Sequence, residues 1–313
     1  MKDSPIFLVG AARSGTTILR LMLDQHPEIC WFGEFGYAVD QIDLDGNEPE
    51  ISRYHEYLEF NRIFKSHNIK RDRKLNYSEL LKSFLIQKLE LSGKATIGAT
   101  VHQKFNFLLR YWPDARFIHI VRDPRDVATS VIEMGWAGNV LYACDGWIES
   151  EDRWSNFKNT IDTARCFELT YENLISNSEE VLRQVCNFIG YDYNQEMLNY
   201  ESKSSYRSPQ TLHIQKWKNK LSSRQIRIIE STVSKKRLEE RGYQHSNLPD
   251  LNISLPERLY LKFHDKCYRI KFRINRFGFV LVLVEYLSRR LKLTKFNNLL
   301  RHRLNIIEES LLQ

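Results

Sequence analysis

IFLVGAARSGTT, residues 6–17, is the stretch whose reading decides the fold. Its first four residues form an apolar run of strand length, Gly10 and Gly15 then frame four residues, and Thr16 and Thr17 open a segment that predicts a helix over residues 17–25. A glycine-rich turn from strand to helix aims successive backbone N–H groups and the positive helix end at one point, which suits a phosphate or sulfate group. The ATP-binding form of such a loop reads G-x-x-x-x-G-K-[ST], with a lysine to reach the outer phosphates. Here Thr16 stands in the lysine position. Neutralisation of the anion falls to Arg13, whose planar fork grips two oxygens at once. Arg13, Ser14, Gly15, Thr16 and Thr17 are therefore the expected anion site, and ATP with magnesium is disfavoured.

Working outward, further apolar runs recur between helical patterns: ATIGA at 95–99, RFIHIV at 116–121 and CFELT at 166–170. Short apolar strands alternating with longer helices predict an α/β fold, a parallel sheet flanked by helices on both faces. Helices are expected over 77–91, 145–164 and 178–189, the last with Ser178 as N-cap and Gly190 just past its end. Residues 40–76 are polar and read as a long insertion. After Gly242 the periodicity fades through a stretch holding Pro249 and Pro256, which places a boundary near residue 250. The expected organisation is a main domain over 1–250 and a helical, basic extension over 251–313.

A chain of 313 residues, 42% of them hydrophobic, can bury a large core. Its net charge of +7 is uneven: residues 257–313 carry 13 Lys and Arg against 5 Asp and Glu, an excess of +8, which leaves −1 for the remainder. This basic region alternates with Phe, Tyr, Leu and Ile, a composition that suits a solvated helical face or peripheral contact with an anionic membrane; nucleic acid is not expected as a partner. The run FGFVLVLVEYL at 277–287 has 11 residues and contains Glu285, which fits a buried or interfacial helix better than a span. Five cysteines without a CxxC pair suggest neither a disulfide framework nor a zinc site. With no signal-peptide pattern at the start, a cytoplasmic protein is the expectation.

The segment ARFIHIVRDPRDVATS is a second strand running straight into a helix. Asp123 can cap that helix and Pro124 can occupy its first turn. Arg122 then sits at the carboxyl end of its strand, where ligands of open α/β sheets bind, and Ser130 follows about two helical turns later. An ion pair of Arg122 with Asp123 or Asp126 is the alternative reading. Two anion sites at the ends of two strands imply a nucleotide with separated phosphates.

These residues resemble the sulfotransferases that use 3′-phosphoadenosine 5′-phosphosulfate (PAPS). GAARSGTT is similar to their 5′-phosphosulfate loop and FIHIVRDPRDVATS to their 3′-phosphate motif, in the manner of the tyrosylprotein and glycan branch and its bacterial relatives. The likeness runs through LRLMLDQHPEICWFGE, FELTYENLISNSEEVLRQVCNFIGYDYNQEML and QKWKNKLSSRQIRIIES, most of residues 5–243. It implies a fold like that of the P-loop NTPases and PAPS as co-substrate, without a metal. It further implies that residues 13–17 hold the 5′-phosphosulfate, that Arg122 and Ser130 hold the 3′-phosphate, that Tyr171 lies near the nucleotide and that Lys216 closes over it.

Sulfuryl transfer needs an acceptor and a leaving oxygen in line, stabilisation of charge on the bridging oxygen, and a base for the acceptor's proton. Arg13 and the loop amides would supply the stabilisation. Glu34, in CWFGEFG, resembles the family's catalytic carboxylate, although one extra residue precedes it. Many family members place a lysine in a G-x-K pattern after the third strand; here Thr100 occupies that slot, and His102, two residues on, is a second candidate for acid or base. MGWAGNV at 134–140 either lines an acceptor pocket with Trp136 or ends a helix at Gly135. The acceptor, a small molecule, glycan or peptide, and the oligomeric state have no readable pattern. A P-loop kinase or NTPase, and a non-catalytic nucleotide-binding protein with a membrane- or partner-binding tail, are the rival readings.

Overall fold

The computed structural model describes residues 4–203 and 214–291, together with 300, 303, 304 and 307. The remainder of the basic 257–313 segment, including 292–299, lies outside the described residues. In chain order the elements are β1 (Ile6–Val9), α1 (Thr16–Asp24), β2 (Ile29–Glu34), α2 (Ile51–Phe60), α3 (Arg62–Ser66), α4 (Tyr77–Ser92), β3 (Thr96–Thr100) and β4 (Arg116–Val121). They continue with α5 (Pro124–Glu133), α6 (Val140–Ala143), α7 (Asp145–Lys158), β5 (Cys166–Thr170), α8 (Tyr171–Ser176) and α9 (Ser178–Ile189). The last are α10 (Trp217–Lys220), α11 (Ser223–Val233), α12 (Lys235–Glu240), α13 (Leu255–Phe277) and α14 (Phe279–Arg290). No helix among the described residues is long and apolar enough to cross a membrane.

Chain contacts divide these residues into two compact units: residues 1–122 with 146–214, and residues 123–145 with 215–313. The first unit holds the sheet. Its five strands are all parallel, in the order β2-β3-β1-β4-β5. β1 is central and fully buried, which is why it reads as an unbroken apolar run rather than an alternation. Its side chains split by the period of two: Phe7 and Val9 join a core with Leu80, Leu81, Phe84 and Leu85 of α4 and Trp154 of α7. Ile6 and Leu8 join the opposite core with Leu19, Met22 and Leu23 of α1 and Val181, Leu182 and Val185 of α9. Each such fully buried side chain contributes about 1.5–3 kcal/mol. Because β1 is flanked by β3 and β4, the chain leaves it toward one side for β2 and β3 and returns to the other for β4. Such a reversal marks the carboxyl end of β1 as the position where open α/β sheets bind ligands.

The α/β sheet expected from the sequence is present, with three local corrections. β2, ICWFGE, is not among the strands expected from the sequence but is an edge strand paired with β3. The helix expected over 145–164 stops at Lys158, because the Thr160 hydroxyl donates to the Phe157 carbonyl at 2.7 Å and Asp162 caps a separate turn at Thr163–Arg165. Asn177, not Ser178, holds the N-cap position of α9; Ser178 lies in the first turn and its hydroxyl donates to the Leu174 carbonyl. The polar 40–76 segment carries α2 and α3, whose Tyr54, Leu58 and Phe64 enter the core.

In the second unit α5 begins as expected, with Asp123 accepting from the Arg125 N–H and Pro124 in the first turn. It ends at Glu133, and Gly135 follows with φ 71°. The small residues of MGWAGNV seat α13 rather than line a pocket: the Gly138 N–H donates to Asp265 at 2.7 Å, and a Cβ at Gly138 would stand 2.8 Å from the Asp265 Cα. Asn139 Nδ2 donates to the Leu261 carbonyl at 2.8 Å. Trp136 is 52% exposed.

Candidate functional site

The glycine-rich loop lies at the carboxyl end of β1. Gly15 takes the N-cap position of α1 at φ 96°, a left-handed conformation that favours glycine, and a Cβ there would meet the Tyr171 ring at 2.4 Å. Lacking a side chain, it caps none of the first-turn N–H groups, and that turn holds no acidic residue. These orphan donors and the positive helix end are the requirements of an anion site. Ser14 strengthens that reading. Its hydroxyl is fully buried and has no hydrogen-bond partner among the described residues, although its N–H donates to the Ala11 carbonyl at 3.1 Å. Leaving a buried hydroxyl unsatisfied costs about 1–3 kcal/mol, a cost an anion accepting from it would remove. Arg13 adopts φ 71°, uncommon for a residue with a side chain.

Arg122, at the end of β4, reaches the same loop: Nη1 donates to the Arg13 carbonyl at 3.2 Å. Its guanidinium stacks over the Tyr171 ring, 4.3 Å from the centroid, and Tyr171 in turn closes against Gly15. The structure thus gathers Arg13, Gly15, Arg122 and Tyr171, which the sequence places on three separate segments.

Glu34 ends β2, and a bulge aims it. Trp31 pairs with Gly98 and Glu34 with Thr100, so three steps on β2 match two on β3. Gly33, at φ 94°, absorbs the extra residue. Across from Glu34, His102 follows β3, with Nε2 3.3 Å from Glu34 Oε2 and Nδ1 donating to the Gly10 carbonyl at 2.8 Å. Both ring nitrogens face acceptors, an arrangement that favours the doubly protonated ring. Burial works against that charge, but the hydrogen bond and negative charge of Glu34, together with the Gly10 carbonyl, outweigh it and raise the pKa above 6.5. The pair keeps solvent access, with 29% of the His102 side chain and 31% of the Glu34 side chain exposed.

The slot of the missing lysine is closed. Thr100 is fully buried and its hydroxyl accepts from Trp31 Nε1 at 3.1 Å. Lys104 is occupied elsewhere, donating to the Asp40 carbonyl at 3.0 Å and to the Ile42 carbonyl.

Ser130 and Lys216 belong to the second unit, Ser130 on α5 and Lys216 at the N-cap of α10. A network that the sequence did not disclose ties these two elements together. Asp126 accepts from the N–H groups of Gln215 and Trp217, both at 2.9 Å, pinning the backbone on either side of Lys216. Arg125 bonds Asp123 at 2.7 Å and Glu230 at 2.8 Å, and stacks on the Trp217 ring at 4.0 Å. The alternation of charge in RDPRD was the available signal, but its partners are about a hundred residues away.

Residues 5–195, more than half of the chain, match the sequence profile described as the Sulfotransferase family. The chain belongs to this family. Protein-tyrosine sulfotransferase 2 of Gallus gallus is 24% identical over 213 residues, 64% of this chain and 55% of that protein. The omega-hydroxy-beta-dihydromenaquinone-9 sulfotransferase Stf3 of Mycobacterium tuberculosis is 24% identical over 254 residues, 60% of this chain and 63% of that protein. The chain therefore spans less than two thirds of the length of these two sulfotransferases. Among solved structures, the sulfotransferase domain from the Curacin biosynthetic pathway superposes with a TM-score of 0.54 at 17% identity, covering 78% of this chain and 99% of that one. The sulfotransferase fold is thus shared where the sequences have drifted far apart.

Proposed function

We propose that this chain transfers a sulfuryl group from PAPS to a hydroxyl or amine of an acceptor. The observation that carries the reading is the buried Ser14 hydroxyl, unpartnered among the described residues, beside the uncapped N-terminus of α1. Family membership supports it, as do the two relatives named as sulfotransferases of protein tyrosine and of omega-hydroxy-beta-dihydromenaquinone-9. Ser14, the N–H groups of residues 15–17 and Arg13 would hold the 5′-phosphosulfate, and Arg122 with Tyr171 the nucleotide's other end. Ser130 and Lys216 keep the roles the resemblance assigns them.

When bound, PAPS supplies an activated sulfuryl group on a phosphate leaving group. Glu34 takes the acceptor's proton as the acceptor oxygen or nitrogen bonds to sulfur and the sulfur–oxygen bond to the 5′-phosphate breaks, its electron pair staying on the phosphate. His102, 3.3 Å away, orients the Glu34 carboxylate toward the acceptor. Arg13 and the loop amides offset charge on the departing oxygen, the usual source of the largest catalytic contribution.

Thermal unfolding with adenosine 3′,5′-bisphosphate and with Mg-ATP tests this reading. A ligand at a hundred times its dissociation constant adds about 2.7 kcal/mol to stability. Stabilisation by the bisphosphate and not by Mg-ATP is expected. Response to Mg-ATP alone would point to a kinase or NTPase, and response to neither to a protein without a working nucleotide site.

A further inference from the structure

We propose that the outward face of α13 and α14 binds the surface of an anionic lipid bilayer. α13 packs on the second unit through Leu261, Asp265 and Tyr268, whose partners are Asn139, Gly138 and the Ile132 carbonyl. At about 100° per residue, the opposite side of the helix carries Leu255, Leu259 and Phe263, which are 77%, 68% and 68% exposed. On α14, Val282, Glu285 and Ser288 are buried, while Phe279 and Val280 are 60% and 72% exposed.

The charge on these helices is equally one-sided. Residues 255–290 hold nine Lys and Arg against three acids, and every acid is already engaged. Glu257 pairs with Arg224, Asp265 with Arg269, and Glu285 with Arg273 and Arg289. Arg258, Lys262, Lys266 and Lys271 are exposed and have no ion pair among the described residues. Lys262 and Lys266 border the apolar stripe directly, one turn apart. Unpaired cations call for an anionic surface, and Leu, Phe and Val side chains between them call for hydrocarbon; an interfacial helix satisfies both. Nucleic acid would leave the aliphatic stripe in water, and a second copy would set like charges against each other.

The test uses the full chain and extruded vesicles of phosphatidylcholine, with or without phosphatidylserine, read by sedimentation. Binding to the phosphatidylserine vesicles and little to the neutral ones is expected. Each cation near an anionic surface is worth roughly five-fold in partitioning, so Lys262→Gln with Lys266→Gln should lose roughly 25-fold. Leu259→Ser with Phe263→Ser should also release the protein, and raised salt should weaken binding. All four positions are exposed, so unchanged melting temperatures show that the variants are folded. Equal binding to both vesicle types, or to neither, overturns the proposal. So does retention on RNA without vesicle binding, or a concentration-dependent dimer in vesicle-free solution that Phe263→Ser abolishes.

Discussion

His102 Nε2 lies 3.3 Å from Glu34 Oε2, while Nδ1 of the same ring donates to the carbonyl of Gly10, the residue that opens the glycine-rich loop. The two side chains that the sequence offers as rival bases are one hydrogen-bonded pair. Their roles are therefore not alternatives, because a change to either side chain alters the surroundings of the other.

Glu34→Gln is expected to lower the transfer rate by about 10²–10⁴ while leaving affinity for adenosine 3′,5′-bisphosphate unchanged. His102→Gln should lower it as well, and the double variant should be little worse than the poorer single one, because residues acting as a unit are not additive. Rate measurements beside thermal shifts with the bisphosphate check this. Full activity in both single variants would remove the pair from the mechanism.

Ser14→Ala separates the loop's anion role from a structural one. Removing a buried, unsatisfied hydroxyl should leave the ligand-free protein as stable as before or more so, while bisphosphate affinity drops roughly ten-fold. Gly15→Ala should damage both, since its Cβ collides with the Tyr171 ring and its φ is left-handed. Calorimetric titration and urea unfolding of the two variants distinguish these outcomes.

The two histidines near Glu34 should pull stability in opposite directions with pH. Burial, helped by Lys88 and Arg20, lowers the His67 pKa to about 4, against 6.5 when unfolded. The unfolded chain then binds a proton that the folded ring refuses, so stability falls as pH drops from 6.5 toward 4. The raised pKa of His102 works the other way. Its contribution is fully present below 6.5 and is lost as pH rises through the folded value. Urea midpoints across this range should lose the acid-side slope in His67→Gln and the alkaline-side decline in His102→Gln.

Arg125→Met should cost about 3–5 kcal/mol in urea unfolding, because it strips the guanidinium from two carboxylates, Asp123 and Glu230, that are 3% and 2% exposed. Adding Glu230→Leu to that variant should recover part of the loss. A strictly additive double variant would show that the pair is uncoupled.

The strands that became β1, β3 and β4 are legible because a parallel strand buried on both faces leaves a short run of mostly apolar residues, while β5, a half-buried edge strand, shows only as the short run CFELT before a helix. β2 is not legible, because its bulge at Gly33 breaks the side-chain alternation and its last residue is a charged one aimed into the site. The Gly10–Gly15 loop and the start of α5 at Asp123–Pro124 follow from local rules of turn and cap chemistry, which need only neighbouring residues. The Glu34–His102 pair, the Arg122–Tyr171 stack and the grip of Arg125 on Glu230 do not, since each joins segments that only tertiary packing brings together. The same holds for MGWAGNV, whose glycines answer to α13, far along the chain.

Arg125 and the Glu230 that neutralises it are 105 residues apart in the chain. On a ribosome adding about 5–20 residues per second, α5 emerges roughly 5–20 s before its counter-ion is made. During that interval the sheet strands through β5 can assemble, but the buried end of α5 has no finished seat. Vectorial synthesis thus favours early maturation of the half built around the glycine-rich loop, with the other half completed only after Glu230 has been made.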